Sequence, residues 1–573
     1  MAKKDLQQLQ TIKERMIAAG IPEDEVNALV DPLKNELQRR VCGLVWEHTT
    51  TSIPDMEGKI PALTPVTGKN IVNDINGDNH VLIEGENLLA LMAMQYTHID
   101  ENDKGMIDVI YIDPPYNTGS VSFAYNDKFE KSEWLSMMDI RLKLARNLLK
   151  DDGVIFISID ENYFAECKML CDDIYSPDKF IGIIVWESST QPVNSGRAIY
   201  SLQNKTEFVL AYGKTDGRNH CFAVETRTID KAYPEQVNGR CCRFEIIEKS
   251  DAGTYSRPTM KFRILGQLPR DGKRWQIGEE TARKLETEGK VIVDNGVVKR
   301  VIFPEDETSK LSTIPFWSFL CADKYGTAQS GKAMLNSICK RDTGFDTVKS
   351  VSMIKELLFH AVGDKKDAIV LDFFAGSGTT GHAVLELNNE DGGHRQFILC
   401  TNNELGKEAQ KTAKKNGYPV GSVEYEDLGV CHAVTYPRMQ NIFPDYPGNN
   451  LYYYRIDQNV AESAIDDVTI ANMASRAVFY VAMKENVYNA ERHDGYYLLY
   501  NDETDITVIT DPDMDMFDVE DEIVPTAFSR QYKKVYCSVY EPCMRNGIEY
   551  IPYPKEVLDV LKAAKKYIRR EVV

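Results

Sequence analysis

Asp113-Pro114-Pro115-Tyr116 is a carboxylate, two stiff residues and an aromatic ring at the end of an apolar run. The run before it, Asp108-Val-Ile-Tyr-Ile, is mostly β-prone, and neither proline can donate to a ladder. A buried strand that stops abruptly is therefore expected here. Open α/β sheets carry their chemistry at the C-terminal ends of their strands. The turn would fix an acid and a ring at a crevice beside such a sheet.

A second stretch with chemical potential is Ala368-Ile-Val-Leu-Asp372-Phe-Phe374-Ala375-Gly376-Ser377-Gly378-Thr379-Thr380, followed by a helical pattern to Leu387. It predicts a buried strand, a glycine-rich turn and a helix. The glycines allow close backbone approach to a ligand, and a helix N-terminus favours anionic groups. The stretch has neither the GxGxxG spacing of a dinucleotide site nor the Gly-Lys-Ser/Thr of a phosphate-binding loop. A ligand with an adenosine and a carboxylate but no phosphate fits better. The next strand, Gln396 to Cys400, runs into Thr-Asn-Asn-Glu404, which places an acid where ribose hydroxyls are held in such units.

The elements that must position these turns alternate. Residues 4–40 are expected to form a helical pair broken at Gly20-Ile-Pro22, and 49–79 a loop rich in Thr, Pro, Gly, Asn and Asp. His80–Ile83, 107–112, Val154–Ile159 and Phe180–Trp186 read as strands. Helices are expected at Leu88–Gln95, Ser132–Leu149 with Ser132 as N-cap, and Asp160–Ile174. Asp151-Asp-Gly153 would close the second of these. Unbroken apolar strands alternating with helices imply a mainly parallel, covered sheet. From 187 to 320 the rhythm is lost, and basic residues alternate with aromatics. Helices are then expected at Val351–Ala361 and 405–415, and a loop through Cys431–Arg438. Residues 450–573 look like a distinct domain with strands at Leu451–Tyr454 and Gly495–Tyr500, ending in a basic helix, Val557–Arg570.

At 573 residues, two to four domains are expected. The net charge of −20 argues against nucleic acid until its distribution is examined. Residues 191–300 carry 20 Lys/Arg against 14 Asp/Glu, whereas 441–530 carry 5 against 18. A basic segment inside an acidic chain is an electrostatic footprint. The twelve cysteines include no CxxC pair, so structural or merely free thiols are expected. Asp511–Asp518 lacks the glycine and terminal Glu of a calcium loop, and no metal site is expected. There is no apolar run long enough for a membrane span and no apolar leader near Met1, so a cytoplasmic protein is expected.

Together the Asp113–Tyr116 and Asp372–Thr380 motifs resemble the S-adenosylmethionine-dependent amino-methyltransferases that act on DNA. The catalytic motif precedes the cofactor motif, an order similar to the β group. Glu84-Gly-Glu86-Asn87-Leu, Lys205-Thr-Glu207-Phe-Val-Leu-Ala-Tyr212, Phe345–Lys349 and Asp427–Arg438 add a resemblance to the modification subunits of type III restriction–modification systems. The resemblance covers roughly 75–455. It departs from the family at Glu86, usually Asp, and at Val348-Lys349-Ser350, usually Pro-Lys-Pro.

The resemblance implies an α/β, mainly parallel Rossmann-like methyltransferase sheet with an inserted target-recognition domain and an extra C-terminal domain. The corresponding boundaries are a helical region (1–48), the catalytic half (49–190), the insert (191–325), the cofactor-binding half (326–445) and a C-terminal domain (446–573). It implies adenine-N6 methylation of double-stranded DNA with base flipping, S-adenosylmethionine as cofactor, a homodimer, and a restriction helicase-nuclease partner. Asp113 and the backbone carbonyl of Pro114 would hold the amino group, Pro115 stiffen the turn, and Tyr116 stack on the base. Asp372, Phe374, Ala375, Gly376, Ser377, Gly378, Thr379, Glu404 and Lys349 would line the cofactor site. Lys349 would sit by the cofactor's carboxylate, and Asp372 would sit near its amine or else cap the turn. Lys205, Arg243, Arg263, Arg270, Lys273 and Arg274 would contact phosphates. The alternatives are an orphan enzyme, cytosine-N4 methylation, a recognition or assembly subunit for a nuclease, and methylation of RNA or protein.

Overall fold

The computed structural model describes scattered positions between 9 and 30 and residues 59–564, except 117–130, 193–201, 218–219, 229–230, 253–256, 308–310, 346, 462–466, 512–513, 515–528 and 540. Most of the expected N-terminal helical pair and of the acidic 511–518 segment lies outside the described residues. Two compact units are present, one made of residues 1–223 with 317–573 and the other of Val224–Phe316.

The first unit is built on an eleven-stranded sheet. Its strands are β1 (Lys59–Pro65), β2 (Ile71–Val72), β3 (Asp78–Gly85), β4 (Ile107–Ile112), β5 (Leu149–Ile159), β6 (Phe180–Trp186), β7 (Glu207–Gly213), β8 (Phe319–Leu320), β9 (Ile369–Asp372), β10 (Gln396–Thr401) and β11 (Asn449–Ala461). They lie in the order β1-β11-β3-β10-β9-β4-β5-β7-β6-β8, with β2 beside β11. The six from β11 to β5 are mutually parallel, and β7 runs antiparallel to β5 and β6. All six residues of β4 are buried, as expected of a parallel strand covered on both faces.

Helices α1 (Asn87–Thr97), α2 (Lys131–Leu148), α3 (Phe164–Tyr175), α4 (Val351–Val362), α5 (Thr379–Asp391) and α6 (Lys407–Asn416) connect these strands. Every residue of α1 is buried, because α2 covers it on one side and two C-terminal helices, α7 (Asp467–Lys484) and α8 (Lys555–Ala564), cover it on another.

The structure corrects several sequence expectations. β7, placed by the sequence in the insert, is a main-sheet strand whose last five residues are buried. The compact insert is narrower, Val224–Phe316. β11 is likewise a main-sheet strand, and Ala477, Val481, Val508 and Leu561 share one apolar core with α1 and β4. The C-terminal region is thus built onto the same body as the sheet. The aromatic Leu451-Tyr-Tyr-Tyr454 run shows why: residues 451–454 are all buried, which requires cover on both faces. Ser132 lies within α2, which begins at Lys131, and Asp151–Gly153 belong to β5. Cys431–Arg438 is helical, a π-turn over Cys431–Thr435 leading into Tyr436–Ile442.

The second unit holds a four-stranded sheet, two two-stranded ladders and a short helix, Glu279–Thr287. Trp275, Ala282, Leu285, Val291 and Val298 form part of its small core.

Asp108 and Arg395 are buried ionic anchors of the large sheet. The Asp108 carboxylate accepts from the Ile369 amide at 3.0 Å and pairs with Lys150 at 2.8 Å and Lys365 at 3.2 Å, tying the start of β9 to β4. The fully buried Arg395 guanidinium donates to the Val362 and Gly363 carbonyls and to Asp391. Removing one member of a buried ionic network leaves its partners unpaired. Arg395→Leu is expected to destabilise the protein by about 3 kcal/mol, read as a lower midpoint in urea or thermal unfolding.

Candidate functional site

The chain leaves β4 toward β5 on one side and leaves β9 toward β10 on the other, although β4 and β9 are neighbours. Such a divergence opens a crevice at the C-terminal ends of the two strands. Val109 and Ile110 pair with Val370 and Leu371, so the Asp113 turn and the Asp372 turn emerge side by side. The two motifs of the sequence are brought together.

The first turn is braced from several elements. The Trp134 indole on α2 donates to the Pro115 carbonyl at 2.8 Å. The Tyr116 hydroxyl donates to Asp113 Oδ1 at 2.5 Å and lies 3.3 Å from Glu207 Oε2 on β7. Lys349, just ahead of α4, places its ammonium 2.9 Å from Asp113 Oδ2 and 3.0 Å from Glu207 Oε2. Its side chain is only 6 % exposed, against 27 % for Asp113 and 16 % for Glu207. The Tyr116 ring lies 4.9 Å and the Trp186 ring 6.0 Å from that ammonium. The Lys349 backbone is set by close helix packing: a Cβ on Gly331 would come within 2.9 Å of the Lys349 carbonyl oxygen.

Burial pushes the Asp113 carboxyl above the usual range; Lys349 opposes that shift and Glu207 adds to it. Burial disfavours the Lys349 ammonium, yet Asp113 and Glu207 outweigh it and hold the ammonium more firmly protonated than usual. Lys349, expected beside a cofactor carboxylate, is paired here with two protein carboxylates. In the sequence Glu207 stands out only within the resemblance. Its role required knowing that β7 lies next to β5.

The second turn is a tight cradle. Gly376 and Gly378 have φ of +47° and +74°, which side-chain-bearing residues rarely adopt. A Cβ on Gly378 would also meet Met439 at 3.1 Å and Thr435 at 3.3 Å. Asp372 turns inward: its carboxylate accepts from the Phe374 amide at 3.0 Å and the Thr380 hydroxyl at 2.5 Å. It caps the turn, one of the two roles expected for it. Asn87 at the start of α1 donates to the Phe373 carbonyl at 2.8 Å and accepts from Arg141, which also grips Glu86. Thr435 and the buried Arg438 hold the Gly376 and Ser377 carbonyls from behind, and Arg438 also donates to Thr379. Phe374 and Ala375 are buried, and the Ala375 amide donates to the Cys400 carbonyl.

Among the described residues, buried side-chain atoms without a hydrogen-bond partner here include Arg438 Nε and, just past β10, the side-chain oxygen of Asn402, an acceptor. It suits a hydroxyl or amine donor on a nucleoside-like ligand. Glu404 lies two residues further on and is exposed, with its backbone carbonyl accepting from Val430. The cradle and the orphaned acceptor fit an adenosine-bearing ligand without phosphates.

The cations expected to meet phosphates are largely engaged. Arg243 joins Lys231 and Tyr233 on Glu307. Arg270 pairs with Glu248 at 2.6 Å, Arg274 with Asp251 at 3.5 Å, and Lys205 with Glu187 at 2.6 Å. Arg263 is exposed and donates to the Gly266 carbonyl, and Lys273 is half-buried on the strand Lys273–Trp275.

Burial raises the Asp372 carboxyl to about 7, against the opposing hydrogen bonds of Thr380 and Phe374. An acid raised in the folded state binds its proton more tightly there than in the unfolded chain, so it stabilises the fold at low pH. That stabilisation is lost as pH rises from about 4 to about 7. Asp372→Asn is expected to flatten the fall in unfolding free energy across that window, an effect on the order of a few kcal/mol, measured by denaturant titration at stepped pH.

Residues 107–415, a little over half of the chain, match the family model described as DNA methylase. The chain is 32 % identical over 398 residues to the type III restriction-modification enzyme StyLTI Mod subunit of Salmonella typhimurium, covering 62 % of this chain and 58 % of that protein. It is 26 % identical over 413 residues to the EcoP15I Mod subunit of Escherichia coli, covering 59 % and 61 %. With the type II methyltransferase M.KpnI of Klebsiella pneumoniae it shares 32 % identity over 357 residues, covering 56 % and 79 %. The chain thus spans about three-fifths of the length of these two type III relatives. The match holds both turns, Glu207, Lys349 and the whole insert, and on it the chain belongs to the DNA methylase family.

Proposed function

We propose that the chain transfers a methyl group from S-adenosylmethionine to the exocyclic N6 of adenine in duplex DNA. The observation that carries this reading is the Asp113 carboxylate, braced at the end of β4 beside the glycine cradle that follows β9. Adenine N6 is a poor nucleophile because its lone pair is delocalised into the ring. A carboxylate accepting one amino proton, with the Pro114 carbonyl taking the other, orients that lone pair for attack. This is catalysis by positioning and electrostatics.

When bound, S-adenosylmethionine supplies an electrophilic methyl group on a cationic sulfur. Gly376, Ser377 and Gly378 would admit its methionine part, Phe374 would pack on it, and Asn402 and Glu404 would take hydroxyl or amine donors. Tyr116 would stack on a base flipped from the duplex, which is required because N6 is otherwise engaged in pairing. Ionised Asp113 is the competent form, and Lys349 favours it.

The insert, Val224–Phe316, is the proposed target-recognition unit. With most of its expected phosphate cations paired internally, shape and backbone donors would carry more of its DNA contact than free Lys and Arg charge. The Mod-subunit names of the relatives support a modification role beside a restriction partner; a homodimer is carried by the family resemblance alone.

Modification-sensitive sequencing of DNA from cells with and without the chain tests the reading. N6-methyladenine at one sequence motif is expected; N4-methylcytosine there instead would overturn the base assignment. Asp113→Ala is expected to lower the methyl-transfer rate at least about 1,000-fold while cofactor affinity, measured by equilibrium dialysis, stays within about twofold.

A further inference from the structure

A second carboxylate shares the enclosure of Asp113. Glu207 opens β7, and its Oε2 touches both Lys349 and the Tyr116 hydroxyl. We propose that Glu207 is a positioning residue for methyl transfer: it is the second anionic seat for Lys349, onto which that ammonium is handed when the target amino group takes its place on Asp113. This inference rests on the methyl-transfer reading above.

The geometry of the acceptor carries the argument. Tyr116 occupies Asp113 Oδ1 and Lys349 occupies Oδ2, so both carboxylate oxygens of Asp113 are already engaged. An ammonium on Oδ2 is chemically what an incoming amino group would be, a nitrogen donating a hydrogen bond. The base must therefore share or displace it. A buried ammonium stripped of its only counter-charge would cost more than the new hydrogen bond returns. With Glu207 already 3.0 Å away, Lys349 keeps an anionic partner throughout and need only shift toward β7. Two carboxylates against one ammonium also leave an excess negative charge in the enclosure, the sign that suits a cationic methyl donor.

Charged and titratable groups face Asp113 from five places: Tyr111 on β4, Tyr116 in the turn, Asp372 at the end of β9, Glu207 on β7 and Lys349 ahead of α4. Of these, Lys349 and Glu207 act on the Asp113 carboxyl in opposite directions. That opposition separates a positioning role from a merely structural one.

The test measures single-turnover methyl transfer to unmodified genomic DNA across pH 5 to 9 for the wild type, Glu207→Gln and Lys349→Met. Carboxyl NMR follows Asp113 in the same proteins. Both variants are expected to lose about tenfold or more in rate at neutral pH, with cofactor affinity within about twofold. The acid limb and the Asp113 titration should move up by about one unit in Lys349→Met and down in Glu207→Gln. Glu207→Asp keeps the charge and should recover part of the rate with its acid limb unshifted. Should Glu207→Gln fail to fold, that shorter acid carries the test through its limb and its intermediate rate. Unaltered rates in the Glu207 variants, or limbs that shift together, would overturn the role of Glu207 alone. A wild-type protein that methylates no DNA would overturn the methyl-transfer reading and this inference with it.

Discussion

The parallel pairing of Val109–Ile110 with Val370–Leu371 is the constraint on which the rest of the site depends. It makes neighbours of two strands that lie more than 250 residues apart in the chain and that lead away in opposite directions. The pairing is fixed at its start by the buried Asp108 carboxylate and along its length by unbroken apolar burial. At its other end the ladder stops, because Pro114 and Pro115 have no amide hydrogen to give and the Asp372 turn folds back on its own carboxylate. The crevice is what remains where both ladders end together.

Inside that crevice, charge is balanced by side chains from separate elements. Asp113 comes from the β4 turn, Glu207 from β7 and Lys349 from the segment ahead of α4. Burial opposes the charged forms of Asp113 and Lys349, and the two carboxylates beside Lys349 hold its ammonium protonated. The backbone around them is fixed by neutral contacts: the Trp134 indole on Pro115, the Trp186 indole on the Gly326 carbonyl, and the close fit of Gly331 against Lys349. The site thus separates its electrostatics from its scaffolding, which allows the ammonium to shift without moving the turn.

The glycine-turn side of the crevice follows a different logic. Its turn is held by hydrogen bonds to its own backbone from Asp372, Asn87, Thr435 and Arg438. The cradle is shaped by protein groups behind it, leaving the glycine faces and the Asn402 oxygen for a ligand. Asp372 illustrates the point. A carboxylate that satisfies the turn's own amide and hydroxyl is a structural cap, and its raised affinity for a proton reflects burial rather than a ligand's charge.

Much of this was legible in the chain before folding. Strand and helix positions, the two turns, and the likeness to amino-methyltransferases follow from apolar runs, prolines and glycines, which act through local backbone geometry. Other features were not. β7 and β11 read as parts of outlying domains because a strand's partners leave no mark on its own residues. The helix through Arg438 read as a loop because a proline and a π-turn interrupt its periodicity. The expected phosphate cations could not be told from ion-pair partners, since the carboxylates that claim them are distant in sequence, as Glu307 is from Arg243. The sequence by itself determined which residues could do chemistry, because residue type is enough to say what can accept a proton or admit a ligand. Only the tertiary structure decided that Lys349 faces two carboxylates, that Glu207 belongs to the site and that Asp372 is a cap. Those are statements about distance and burial between elements, and no local pattern encodes them.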